Sequence, residues 1–278
     1  MCLGKVEASE SGVLDGHVSD SSLKIVQISQ GAIQYVNGMI TYEIIMNARM
    51  HILFSHTHLF IHSFYLVDTT TQLGIQRASA MGLVNSELAD VIFSPLLHES
   101  AQLFHNTTYK GRAFCLFRHP VERAISLFHY LKNASWEPTF SEKLKSIQTV
   151  EDYAISEFAE NNWMTRFLTN EMSGTVTRKH LEIAKEIIRR KIFVGLTLDL
   201  EHSFERFIKY FGWENGILTG QQRSCLKNYL STGSNRNNHR VEEDSMGWRV
   251  LRGNNLLDLE LYDYVLQIYE EQASLVSG

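Results

Sequence analysis

The sequence predicts an α/β fold with a mainly parallel central sheet. Two observations carry this expectation. Short apolar runs without polar alternation recur at residues 91–93, 113–117 and 192–196, as suits strands covered on both faces. Between and after them lie segments whose apolar residues recur at helical spacing, so strands alternate with amphipathic helices. The 278 residues are 44 % hydrophobic and 21 % charged, a globular composition able to bury a substantial core.

Residues 1–20 are polar and acidic with little apolar pattern, and read as a loose leader before a single domain over residues 21–278. Residues 23–28 fit a short strand. Residues 40–65 are apolar but irregular, consistent with strand or helix. A helix over 72–83 follows, then a strand over 90–94 that Pro95 ends. Residues 98–104 read as helix. The strand 113–117 leads into a helix over 120–132. Pro120 suits the first turn of that helix, where its missing N–H costs nothing. Ala124, Leu127, Phe128 and Leu131 give its core face.

Residues 153–168 read as one helix. Thr177 suits the N-cap of a helix over 178–191. The apolar stripe there is Leu181, Ala184, Ile187 and Ile188, and Arg189, Arg190 and Lys191 sit near the negative end of the helix dipole. A strand over 192–196 and a helix over 200–211 follow, with Gly212 as the stop. Residues 216–248 are polar and read as a long loop. Residues 258–273 close the chain as a helix.

The formal net charge of −5 argues against broad electrostatic binding of nucleic acid. No apolar stretch of about 20 residues predicts a transmembrane helix, and the leader has no signal-peptide pattern. Cys2, Cys115 and Cys225 are too scattered for a disulfide framework, and Cys115 reads as a core residue. His56, His58 and His62 have a spacing that suggests zinc, but their apolar neighbours favour a partly buried segment. Asn106 and Asn133 begin glycosylation sequons.

The run from Phe114 to Ser126 is the most informative. A buried strand delivers Arg118 to the mouth of a helix that carries Ser126. A helix start exposes unpaired N–H groups and a partial positive charge. With a guanidinium and a hydroxyl beside it, the result is an anion site suited to the phosphate of a nucleotide-type ligand. In parallel sheets ligands gather at the carboxyl ends of the strands. Arg118 and His98 both follow strands on that edge. Read alone, Arg118 equally fits a helix cap or a pair with Glu122, and Arg123 fits a structural ion pair.

With these residues in view, the chain from about residue 88 onward resembles the PAPS-dependent carbohydrate sulfotransferases, in particular the heparan-sulfate 2-O and 6-O group. Arg118-His119-Pro120-Val121-Glu122-Arg123 with Ser126 is similar to that family's 3′-phosphate motif. Asn161-Asn162-Trp163-Met164-Thr165-Arg166-Phe167-Leu168 is similar to its NN-x-x-TR-x-L segment. Phe193-Val194-Gly195-Leu196-Thr197, with the helix from Glu201 to Phe207, is similar to its closing strand-helix pair.

The resemblance implies a P-loop-NTPase-like three-layer fold with a mainly parallel central sheet. It implies transfer of a sulfuryl group from 3′-phosphoadenylyl sulfate (PAPS), a co-substrate, to a carbohydrate hydroxyl, with no metal required and a Golgi setting. Arg118 and Ser126 would hold the 3′-phosphate, and His98 would be the catalytic base. Histidine has a suitable pKa for that task, and Glu99 is the fallback. Arg166 would either bind substrate or close an internal salt bridge.

One part of the family pattern is missing. A 5′-phosphosulfate loop reading like PKTGGT should follow the first strand, its lysine and N–H groups stabilising charge on the leaving phosphate. Residues 1–87 hold only Lys5 and Lys24, and Ser29-Gln30-Gly31-Ala32 stands where the loop belongs. A shortened N-terminus, a member without turnover, or a replaced loop would each account for this. The alternative to an enzyme is a sulfotransferase-fold remnant that binds nucleotide or sugar, or serves a partner.

Overall fold

The computed structural model describes residues 67–86, 91–105, 110–135, 140–212, 224 and 241–277, together with the backbone of Lys24–Val26. In chain order these form β1 (Lys24–Val26), α1 (Gln72–Ala80), β2 (Val91–Phe93), α2 (Leu97–Gln102), β3 (Arg112–Phe117), α3 (Pro120–Leu131), α4 (Glu142–Ser146), α5 (Val150–Ala154), α6 (Trp163–Thr169), α7 (Arg178–Lys191), β4 (Ile192–Leu196), α8 (Leu200–Tyr210), α9 (Met246–Asn254), α10 (Leu256–Glu271) and a closing 3-10 turn (Gln272–Val276).

The strands make a small parallel sheet in the order β2-β1-β3-β4. Its best-formed part is the β3–β4 pair, which runs in register from Ala113 opposite Ile192 to Phe117 opposite Leu196. Alternation along β3 decides what covers each face. Phe114 and Leu116 join Phe193 and the α8 residues Phe204 and Phe207 in one cluster. Cys115 and Phe117 join residues of α6, α7 and α10 in another. Both faces are therefore covered, which explains why these strands read as unbroken apolar runs. Cys115 is a buried core residue, as its neighbours in sequence suggest.

The outer edge of β4 is closed by a side chain. Gln272 accepts from the Val194 N–H at 2.8 Å and donates to the Ile192 carbonyl at 2.9 Å. This satisfies backbone groups that an edge strand otherwise leaves open. On the covered face, Gly195 lets α8 approach closely. A Cβ there would overlap the Phe207 ring and lie 2.9 Å from Leu116 Cδ2. Gly195→Ala is expected to destabilise the fold by about 1–3 kcal/mol through overpacking. Urea unfolding of the two proteins checks it, and an unchanged midpoint would mean that the ring moves aside freely.

Two sequence expectations change. Residues 153–168 are not one helix: α5 ends at Ala154 and α6 begins at Trp163. Ser156 breaks the run by turning its hydroxyl back to the Tyr153 carbonyl, 2.7 Å away, and Asn162 adopts the left-handed φ of 48°. The end of the expected loop 216–248 belongs instead to α9, capped by Ser245, whose hydroxyl accepts from the Trp248 N–H at 3.2 Å. Gly247 and Gly253 hide that helix in the sequence, because glycine is a poor helix former. Gly247 is needed by packing: a Cβ there would come within 3.2 Å of the Glu151 N and Val150 Cγ1 atoms.

The leader, the undecided segment 40–65 and the histidines at 56, 58 and 62 lie outside the described residues. Among the described residues, no helix is long and apolar enough to cross a membrane.

Candidate functional site

All four strands run parallel, so the segments after β2, β3 and β4 leave the sheet on one edge. The chain passes from β1 to β2 on one side, then places β3 and β4 on the other. The winding direction therefore reverses between β1 and β3, the place where open α/β sheets leave a crevice. Arg118 follows β3 directly, at the carboxyl end of a strand that flanks this reversal.

The structure brings Arg118 and Ser126 together. Arg118 Nη1 donates to Ser126 Oγ at 2.8 Å, from the strand end to the second turn of α3. Ser126 is 5 % exposed, while the Arg118 side chain is 27 % exposed and keeps one flank toward solvent. Arg118 Nε also lies 3.5 Å from Glu122 Oε2. Glu122 is exposed, and ion pairs of that kind are worth little in water. A phosphate could replace it as the partner of the guanidinium with a net gain in charge-assisted bonding.

His98 sits in the first turn of α2. The Ser94 hydroxyl accepts from the Leu96 N–H at 3.1 Å and sets the turn that leads there from β2. His98 Nε2 lies 3.1 Å from the Phe167 carbonyl oxygen. A carbonyl can only accept, so this contact uses Nε2–H, and in the neutral ring the lone pair is then on Nδ1. β1 separates β2 from β3, so His98 and Arg118 emerge from strands roughly 10 Å apart, two strand spacings.

Arg166 serves the fold. Its Nε donates to the Asn161 carbonyl at 2.8 Å, and Nη1 donates to the carbonyls of Glu171 at 3.1 Å and Gly174 at 2.8 Å. Nη2 reaches Asn161 Oδ1 at 3.3 Å. The fork is thus committed to the turn after α6, and its geometry gives an acceptor-binding role no support.

The residues around it form a reciprocal clamp. Asp258, fully buried, caps α6 by accepting from Met164 N at 2.7 Å, Thr165 N at 2.8 Å and Thr165 Oγ1 at 2.8 Å. Asn162 caps α10 in return, its Oδ1 accepting from Leu257 N at 2.8 Å and Asp258 N at 3.2 Å. The Asn162 N–H donates to Asn255 Oδ1 at 2.8 Å. Burial pushes the Asp258 carboxyl above the usual range, against the pull of its three donors.

Arg123 is the structural ion pair that its sequence context suggests. It is 2 % exposed and grips Glu160 with Nη1 at 2.9 Å from Oε1 and Nη2 at 2.5 Å from Oε2. Its guanidinium also lies over the Trp163 ring, 4.3 Å from the centroid. This ties the start of α3, and with it Arg118 and Ser126, to α6.

Sequence reasoning passed over His119, Glu160, Asn255 and Asp258. His119 was visible as the residue between Arg118 and Pro120. Its ring stacks on Trp248 at 5.5 Å and 9°, and meets Tyr262 edge-on at 5.6 Å and 86°. Burial lowers its pKa, and Arg118 adds to this, while Glu122, Glu243 and Asp263 pull the other way. The chain matches no protein-family model and no curated protein.

Proposed function

We propose that this chain is a sulfotransferase with a P-loop-like fold that binds PAPS through Arg118 and Ser126 and transfers its sulfuryl group to a carbohydrate hydroxyl. The observation that carries the reading is the 2.8 Å contact from Arg118 to Ser126 at the carboxyl end of β3, next to the point where the strand order reverses. A guanidinium already aimed at a hydroxyl acceptor makes a preformed cradle for a phosphate oxygen. The sheet order supports the fold part of the reading only as far as a doubly wound sheet.

In the transfer, the acceptor hydroxyl oxygen forms a bond to sulfur as the bond from sulfur to the donor's 5′-phosphate oxygen breaks. Adenosine 3′,5′-bisphosphate leaves with that electron pair. The hydroxyl proton passes to Nδ1 of the neutral His98 ring, the nitrogen that the Phe167 carbonyl does not engage. The sulfotransferase resemblance brings a Golgi setting and a glycan acceptor with this reading.

The test is calorimetric titration with adenosine 3′,5′-bisphosphate. Wild type is expected to bind in the micromolar range, and Arg118→Ala to bind on the order of a hundredfold more weakly, from loss of charge-assisted bonds. No binding by folded wild type would end the reading. A second reading, nucleotide binding without turnover, is favoured by the two lysines at positions 5 and 24, since neither follows β1. Bisphosphate binding without transfer to any sugar in a panel would decide for it.

A further inference from the structure

We propose that His119 is the third side chain of the Arg118–Ser126 anion site, and that it takes up a proton when a phosphate dianion binds there. This rests on the reading of Arg118 and Ser126 as a phosphate site and adds a residue and a proton to it.

Position is the first argument. His119 is the hinge residue between β3 and α3, next in sequence to Arg118, and its side chain makes no capping hydrogen bond to its own helix. The ring is held on two sides. Trp248 of α9 covers one face, and the edge contact with Tyr262 of α10 restricts rotation. The imidazole is therefore fixed in place on the residue that follows Arg118, at the carboxyl end of β3.

Unused hydrogen-bonding capacity is the second. The His119 side chain makes no hydrogen bond to any described residue, and its Nδ1 is buried without a partner. Native folds leave few such groups, and each calls for an explanation. His98 differs, because its Nε2 is engaged by Phe167. A ring that is placed by two aromatic contacts and bonded to nothing has its polar atoms in reserve.

The charges around the ring are the third argument. From its own segment come Arg118 and Glu122, from the chain before α9 comes Glu243, and from α10 come Asp263 and the Tyr262 phenol. Burial and Arg118 favour the neutral ring, and the three carboxylates oppose them. A bound dianion would offset the Arg118 charge and add negative charge of its own. Both changes favour the imidazolium. The proton comes from solvent, and only the new N–H bond forms. The sign follows: a group with a higher pKa in the bound state takes up protons on binding, so affinity rises as pH falls between its free and bound values.

The experiment is calorimetric titration of wild type and His119→Gln with adenosine 3′,5′-bisphosphate between about pH 5.5 and 7.5, the span of ordinary histidine titration. Running it in two buffers of different ionisation enthalpy counts the protons exchanged. The ligand's own phosphates exchange protons with both proteins, so the difference between the two is the readout. Wild type is expected to take up on the order of half a proton more than the variant near neutrality. Its affinity advantage is expected to grow by about threefold or more toward the acid end. Equal proton counts in two proteins that both bind through Arg118 would overturn the inference and leave the phosphate site standing. No binding by wild type would overturn the site and the inference together. If His119→Gln fails to fold, the imidazole resonance of wild type, titrated with and without the bisphosphate, reads the same rise in pKa or its absence.

Discussion

Arg123→Ala is expected to lower the unfolding free energy by about 3–5 kcal/mol, the usual cost of removing one partner from a buried ion pair. The size comes from what is left behind more than from what is lost. Glu160 has a side chain only 11 % exposed, and Arg123 is the only guanidinium that grips it among the described residues. Burial already pushes the Glu160 carboxyl above its usual range, with the nearby Asp258 adding to that push while Arg123 holds it down. Without Arg123 the restraint goes, and a carboxylate must be buried alone or protonated.

This fixes the pH dependence of the defect. A carboxyl raised in the folded state contributes stability that is full below the unfolded value of about 4.3 and lost as pH rises through the folded value. The deficit of Arg123→Ala should therefore be largest at neutral pH and shrink on acidification. Urea unfolding at several pH values checks both size and direction. Arg123→Met with Glu160→Leu should recover much of the loss, because an apolar pair carries no desolvation cost. A double variant as unstable as the single one would mean that the Trp163 contact, not the charge pair, holds α3 to α6.

That anchor explains which parts of the site were legible in the sequence. Arg118 and Ser126 are eight positions apart, joined by a strand end and two helical turns whose geometry is fixed locally. The unbroken apolar run at 113–117 and the proline at the first helical position were enough to bring them together. Arg123 read correctly as structural, but its partner did not show, because Glu160 lies on the irregular chain between α5 and α6. The same break was hidden because its cause is remote. Asn162 leaves the helical region to cap α10, and Asp258 of α10 caps α6 in exchange. No window along the sequence contains both ends of that clamp. The stacking of His119 on Trp248 is remote in the same way, and rests on a helix that two glycines disguise.

The clamp also revises what the resemblance meant for Arg166. A segment can resemble one of an enzyme family because it builds the scaffold. Here Asn161 and Arg166 bond to each other, Arg166 also bonds to the turn that follows, and Asn162 and Thr165 bond to α10. The proposed chemistry therefore rests on the residues after the strands, Arg118, Ser126 and His98.

His98→Gln is the sharpest test of that division. Glutamine keeps a side-chain N–H that can donate to the Phe167 carbonyl, so the bond at 3.1 Å has a substitute and the fold should stay within about 1 kcal/mol of wild type. What it removes is the basic lone pair at Nδ1. If His98 accepts the proton of the attacking hydroxyl, transfer from labelled PAPS to sugar acceptors should fall by about 10²–10⁴-fold, the usual share of a general base. Bisphosphate affinity should not change, because the proposed nucleotide site lies at the end of β3 and His98 follows β2, beyond β1. Full turnover in His98→Gln would confine His98 to its bond with Phe167 and move the search for the base to Glu99, the next residue of α2. Lost affinity with unchanged turnover at saturation would instead place His98 on the nucleotide. The two quantities separate because base catalysis acts on the chemical step, whereas donor binding acts before it.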